Sequence, residues 1–206
     1  MLIGVVGFLG SGKGTVGDIL IQEKGYYRLS FADAVKDAVS VIFGWSRDLL
    51  EGDTVESREF REVPDEFWSA RFGYPVTPRY MLQLMGTEAG RDVFHKNIWI
   101  YTLENRMRGK ENVVIPDVRF PNEINFIRSK GGKVIRVKRG PEPIWYESAL
   151  ADNKFGSGSM EVQYPEVHYS EWAWIGQSFD YEVDNDGSLQ DLKNKVNVIL
   201  NERTEQ

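Results

Sequence analysis

The chain has 206 residues, 41% hydrophobic, 27% charged and 13% aromatic, a balance that suits a single globular core and carries no signature of disorder. It contains no cysteine and two histidines, His95 and His168, which excludes disulfides and thiolate zinc sites and leaves any metal to hard oxygen ligands. A formal charge of −6 argues against non-specific nucleic-acid binding, and no apolar run approaches the ~18 residues of a membrane span, so a cytoplasmic protein without a membrane partner is expected.

Leu2–Val6 is short and aliphatic, which predicts a buried strand of a parallel sheet. The glycine-rich GFLGSGKGT follows at 7–15, and Val16, Ile19 and Leu20 then recur at helical spacing up to Gly25. Tyr26–Ser30 predicts a second strand, and Asp33 caps a helix that closes at Gly44. Residues 45–76 are charged, aromatic and broken by Pro64, Gly73 and Pro75, and are expected to form an inserted loop or small helical lobe. Thr77 and Pro78 open a helix running to about residue 91, and a second helix covers roughly Asn97–Arg108. Asn112–Pro116 and Lys133–Val137 predict strands on either side of a helix opened by Pro121. From Gly140 to Gly176 no period dominates, and a mobile lid hinged at the GSGS of 156–159 is expected. Phe179–Val183 then predicts the last strand and Ser188 caps a C-terminal helix.

Strands alternating with helices imply an α/β fold, a three-layer αβα sandwich around a central, mainly parallel five-stranded sheet, with ligands at the carboxyl ends of the strands. Residues 1–206 are expected to form a single domain of the P-loop kind, with an acceptor-binding helical insertion at about 45–110 and the lid at about 138–176.

Gly7 to Lys13 satisfies G-x-x-x-x-G-K between a strand and a helix, where backbone N–H groups and a helix N-terminus can cradle phosphates that Lys13 also reaches. The hydroxyl residue that usually follows the lysine is replaced by Gly14, with Thr15 one place on, so a bound Mg²⁺ would depend on water, nucleotide oxygens and a carboxylate from elsewhere. Asp117 is the candidate, just past a buried strand; Arg119 is placed to neutralise a transferring phosphoryl group. Arg79 and Gln83 share one helical face, the first suited to phosphate and the second to a base edge. Against these stand plainer roles: Asp117 as a helix cap, Arg119 and Arg79 as surface arginines and Gln83 as filler. A further run, Arg128, Lys130, Lys133, Arg136, Lys138 and Arg139, contains no acid and raises an ATP-driven nucleic-acid module as a rival. Its alternation on a strand argues against one continuous basic face.

The combination of GFLGSGKGT, SFADAVK (30–36), TPRYMLQLMGTEAGR (77–91), IPDVRFPNE (115–123), HYSE (168–171) and NDGSLQDL (185–192) resembles the deoxynucleoside monophosphate kinases of tailed phages. It is more remotely similar to dephospho-CoA kinase. The resemblance implies transfer of the ATP γ-phosphoryl group to a deoxynucleoside monophosphate, with Mg²⁺, small-molecule substrates, no stable nucleic-acid partner and dimerisation left open. It implies ATP at Gly10, Ser11, Gly12, Lys13, Gly14 and Thr15, with Asn185 near the adenine. Phe31, Lys36, Arg79, Gln83 and Glu171 would surround the acceptor, Asp117 and Arg119 would lie between the phosphates, Arg139 would fold over them, and Asp117 would hold the metal through water. A kinase for dephospho-CoA or a nucleoside is the alternative; a nucleoside acceptor would need a base such as Asp33.

Overall fold

The structure, a computed structural model, describes residues 1–201, with Asn201 described by its backbone alone. The chain divides into two compact units, one formed by Met1–Ser30 with the chain from Met107 onward, the other by Phe31–Arg106.

The first unit carries a five-stranded, wholly parallel sheet of β1 (Leu2–Val6), β2 (Tyr27–Arg28), β3 (Val113–Ile115), β4 (Lys133–Lys138) and β5 (Tyr181–Asp184), in the order β2-β3-β1-β4-β5. Alternation along β1 sorts the layers. Ile3 and Val5 pack in one buried cluster with Val16, Ile19 and Leu20 of α1 (Lys13–Lys24) and Leu192 and Val196 of α10 (Leu189–Asn201). Gly4 faces the other way, where a Cβ would stand 2.4 Å from Ile127 Cδ1 of α7 (Pro121–Ser129). The bare glycine therefore lets α7 lie close on the sheet, and the three-layer αβα sandwich is what the chain forms. The observed strand at 27–28 is shorter than the expected 26–30, as its two residues lie exposed at the sheet edge.

The stretch 140–176 is built rather than irregular: α8 (Tyr146–Phe155) and α9 (Ser159–Gln163) are joined at the GSGS turn, and the N–H groups of Ser159 and of Met160 after it donate to Asp152 at 2.8 and 2.7 Å. Trp172, Trp174, Ala149, Met160 and Ile175 are buried, and Phe8 of the glycine loop meets Trp145 and Trp174 at ring separations of 5.3 and 4.8 Å. An apolar core made of residues far apart in sequence leaves no local period to read.

The second unit holds α2 (Asp33–Phe43), α3 (Val55–Glu62), α4 (Glu66–Phe72), α5 (Pro78–Leu84), a π-helical segment (Met85–Phe94) and most of α6 (Ile98–Met107). Val39, Trp45, Leu50, Val76 and Met81 form its core. The 45–76 stretch is thus a helical lobe, pinned by indole bonds from Trp45 to Asp65 (2.8 Å) and from Trp68 to the Phe43 carbonyl (3.0 Å). The helix from Pro78 widens at Met85, where the Gly86 carbonyl accepts from Trp99 Nε1 at 2.8 Å and from Arg91 Nε at 3.2 Å. Gly90 makes room for Trp99, since a Cβ there would stand 2.4 Å from its ring. No helix among the described residues is long and apolar enough to cross a membrane.

Candidate active site

The glycine loop joins β1 to α1 at the carboxyl end of the sheet, with Gly12 in the left-handed region (φ 102°) as the residue before the helix. Behind it stands Asn185, whose amide donates to the Ser11 carbonyl at 2.9 Å and would lie 2.3 Å from any Cβ at position 12. In front the loop is open, with nothing within 4 Å of where a Cβ on Gly10 or Gly14 would sit. A loop walled on one side and open on the other suits a polyphosphate. Thr15 lies in the first turn of α1, half-buried.

Lys13 folds back over the loop and donates to the carbonyls of Gly7 and Phe8, both at 2.8 Å. Burial lowers its pKa to about 8; Arg119 pushes the same way, and Glu171 and Asp117 partly offset both. These four side chains therefore share one electrostatic field. In the free protein the ammonium loses its proton as pH rises through about 8, whereas a bound polyphosphate would stabilise the charged form. Inorganic tripolyphosphate should accordingly bind more weakly above pH 8, and an affinity flat to pH ~9.5 would remove Lys13 titration from the binding step.

Asp117 sits past β3 and accepts from Ser30 Oγ at 2.6 Å. Arg119, two residues on, ion-pairs with Glu171 and lies 3.4 Å from Ser170 Oγ. Ser170 in turn sits 2.9 Å from His168 Nδ1, which also accepts the Ser170 N–H at 3.3 Å and so starts the short 3-10 turn Tyr169–Glu171. The Arg119 side chain, 40% exposed, is held by its pair with Glu171. Sequence reasoning missed two supports. Ser30 holds Asp117, and Glu123, buried to 1% exposure, accepts the N–H groups of Arg119 (2.7 Å) and Phe120 (3.1 Å). A glutamate two residues after the proline that opens α7 is a helix-start signal that pointed to Glu123. Nothing local signalled Ser30.

Arg139 is exposed immediately after β4. In the second unit Phe31 is buried, Lys36 pairs with Glu51 at 2.5 Å, and Arg79 pairs with Glu62. Gln83 is half-buried on α5, on the same helix as Arg79. Asp33, the candidate base for a nucleoside acceptor, lies in the first turn of α2 and pairs with Arg47 at 3.5 Å.

Arg128, Lys133, Arg136 and Lys138 of the basic run have partners within the first unit. Lys133 pairs with Asp180 at 2.7 Å; Arg136 is buried, ion-paired to Glu142 and to Glu182 (3.1 Å), and lies against the rings of Trp174, Tyr146 and Phe179 at 5.2 to 5.9 Å. Lys138 shares the same two glutamates at 3.7 and 3.5 Å, and Arg128 donates to Ser178. Arg136 is the buried member of the run, and Lys130 and Arg139 are exposed.

A family model for deoxynucleotide monophosphate kinases matches residues 46–144. A protein of Acanthamoeba polyphaga mimivirus that bears the deoxynucleotide monophosphate kinase name is 40% identical over 152 residues, covering 68% of this chain and 74% of its own. The chain belongs to the deoxynucleotide monophosphate kinase family. The deoxynucleoside-5'-monophosphate kinase of Escherichia phage T5 is 29% identical over 179 residues, covering 62% of this chain and 72% of its own. Among solved structures, a shikimate kinase from Aquifex aeolicus overlays 99% of the kinase and 98% of itself at 17% identity with a TM-score of 0.47, a loose overlay that adds nothing to the family assignment.

Proposed function

We propose that this kinase phosphorylates deoxynucleoside monophosphates at the cluster formed by Lys13, Asp117, Arg119 and Glu171 beside the glycine loop. The observation that carries the reading is the open glycine loop with Lys13 folded over it, in a chain of the deoxynucleotide monophosphate kinase family. The reaction moves the γ-phosphoryl group of ATP: a bond forms from an acceptor phosphate oxygen to the γ-phosphorus, the β–γ bridging bond breaks, and ADP and a deoxynucleoside diphosphate leave. The acceptor oxygen is already an anion near neutral pH, so the protein supplies position and charge rather than a strong base. This suits a site whose one histidine, His168, serves as a turn cap.

In this reading the loop from Gly10 to Thr15 holds the donor phosphates, Lys13 turns from its two carbonyls to the terminal phosphates, and Arg119 leaves Glu171 to meet the transferring group. Among the described residues no three carboxylate or histidine side chains cluster as a metal cage. Asp117 past β3, with Gly14 where a hydroxyl residue usually follows the lysine, fits a Mg²⁺ carried mainly by phosphate oxygens and water, whose contribution would be to neutralise phosphate charge. Arg139 and the segment at about 138–176 would cover the phosphates and exclude water. Phe31, Lys36, Arg79 and Gln83 of the second unit would receive the acceptor, in the lobe at about 45–110 and the segment before it.

The test is direct: ATP, Mg²⁺ and each of dTMP, dGMP, dCMP, dAMP, the four deoxynucleosides and single-stranded DNA are offered in turn. Diphosphate should form from at least one monophosphate. Turnover of deoxynucleosides alone, or ATP hydrolysis stimulated only by DNA, would overturn the proposal. Within it, Arg79→Ala should raise KM for the monophosphate about tenfold, the worth of a charged hydrogen bond, with kcat little changed. An unchanged KM would remove Arg79 from acceptor binding.

A further inference from the structure

Beyond the groups that meet substrate, the turn after β5 grips two functional segments at once. The parallel ladder between β4 and β5 ends at the Lys138–Asp184 pair, and the next N–H, that of Asn185, donates to the Lys138 carbonyl at 2.7 Å. Where the ladder stops, a side chain continues it: Asp186 Oδ1 accepts the Gly140 N–H at 2.6 Å. The main chain is therefore held immediately before and immediately after Arg139. The Asn185 side chain faces the other way, donating to Ser11 at 2.9 Å and packing against Gly12 closely enough to forbid a Cβ there.

We infer that Asn185 and Asp186 are positioning residues, a clamp that sets the phosphate loop and Arg139 in fixed relation to each other. The physical case is one of economy: three hydrogen bonds from two adjacent residues tie together loops that follow β1 and β4. With its carbonyl held from behind, Ser11 cannot rotate that oxygen into the concavity where phosphate charge would repel it. With both neighbouring peptides held, Arg139 keeps its side-chain freedom but not its backbone freedom, so less entropy is lost when it meets a ligand. Asn185 then acts on the donor through the loop and not by touching the base.

The inference rests on the proposed placement of donor phosphates in the loop and of Arg139 over them, and the variants separate the two. Asn185→Ala should weaken binding of ATP and of inorganic tripolyphosphate by the same factor, about tenfold or more. Weakening of ATP alone would make Asn185 a base contact and overturn its positioning role. Asp186→Ala should lower kcat about tenfold, and Asp186→Asn, which keeps the accepting oxygen, should restore it to within about twofold. In an Arg139→Ala background Asp186→Ala should change kcat by less than about twofold, because the residue it positions is gone. Equal effects of Asp186→Ala in both backgrounds would overturn the clamp while leaving Arg139 in place. An Arg139→Ala enzyme with full kcat would instead refute the placement of Arg139. Should Asn185→Ala fail to fold, the Asp186 and Arg139 variants decide the matter alone.

Discussion

Lys13→Ala is expected to lower kcat at least about 10²–10³-fold, the usual cost of deleting one preorganised charge at a reacting centre, without lowering the melting temperature at pH 7. The two halves of this expectation have one cause. Burial, reinforced by Arg119, holds the Lys13 pKa down to about 8, so the charged lysine is unfavourable in the folded protein. The sign follows from proton counting: between about pH 8 and the ordinary lysine range the unfolded chain binds more protons than the native one, and stability from this group rises with pH. Below pH 8 the unfavourable charge is fully present, and its deletion relieves it. The same burial that disfavours the ammonium in the free fold would strengthen its attraction for a polyphosphate. Single-turnover kinetics and thermal melting at pH 7 make the comparison. A melting temperature that falls together with activity would mean that Lys13 holds the loop together and that its chemistry is secondary.

Arg119→Ala is expected to cost about 10³-fold in kcat, as for other arginines that meet the transferring phosphoryl group, with a much smaller change in KM for ATP. The loop should survive the change because its backbone is anchored independently: Glu123 accepts the Arg119 N–H itself, and Ser30 holds Asp117. Truncation removes the guanidinium and leaves its platform. Arg119→Lys should recover little, since one ammonium cannot reproduce a planar fork of donors. A kcat within about tenfold of wild type combined with a raised KM for the monophosphate would make Arg119 a substrate-holding group rather than a stabiliser of the transfer.

The parts of this fold written in local sequence were legible as such. Leu2–Val6, the glycine loop and α1 follow one another within 24 residues, and each declares itself by aliphatic run, glycine or helical period. Thr77 and Pro78 marked the start of α5, and the Thr77 hydroxyl accepts the Tyr80 N–H as a cap should. What could not be read depends on partners far away. The π-helical continuation after Leu84 is set by the indole of Trp99 and the space left by Gly90. The tryptophans of 172–174 are buried where Phe8 packs on Trp174 and Asn153 of α8 donates to the Trp172 carbonyl, which no window of neighbouring residues displays. In the site, Asp117 and Arg119 were visible through their motif, Glu123 was visible and unused, and Ser30 emerged only when β2 and β3 came together.

The buried guanidinium of Arg136 carries a consequence for how the chain is made. Strand β4 brings Lys133, Arg136 and Lys138 into the sheet, yet the acids that neutralise them, Glu142, Asp180 and Glu182, are all encoded later. A nascent chain that has emerged only as far as β4 holds a cationic strand with no counter-charges, and burying an uncompensated guanidinium costs several kcal/mol, about 3–5 when one partner of a pair is missing. The central sheet therefore cannot close from the N-terminus outward as synthesis proceeds. It waits for the acids that follow, and a polypeptide cut short between β4 and Glu142 should leave its sheet unclosed, even though four of its five strands and its entire phosphate loop are already in hand.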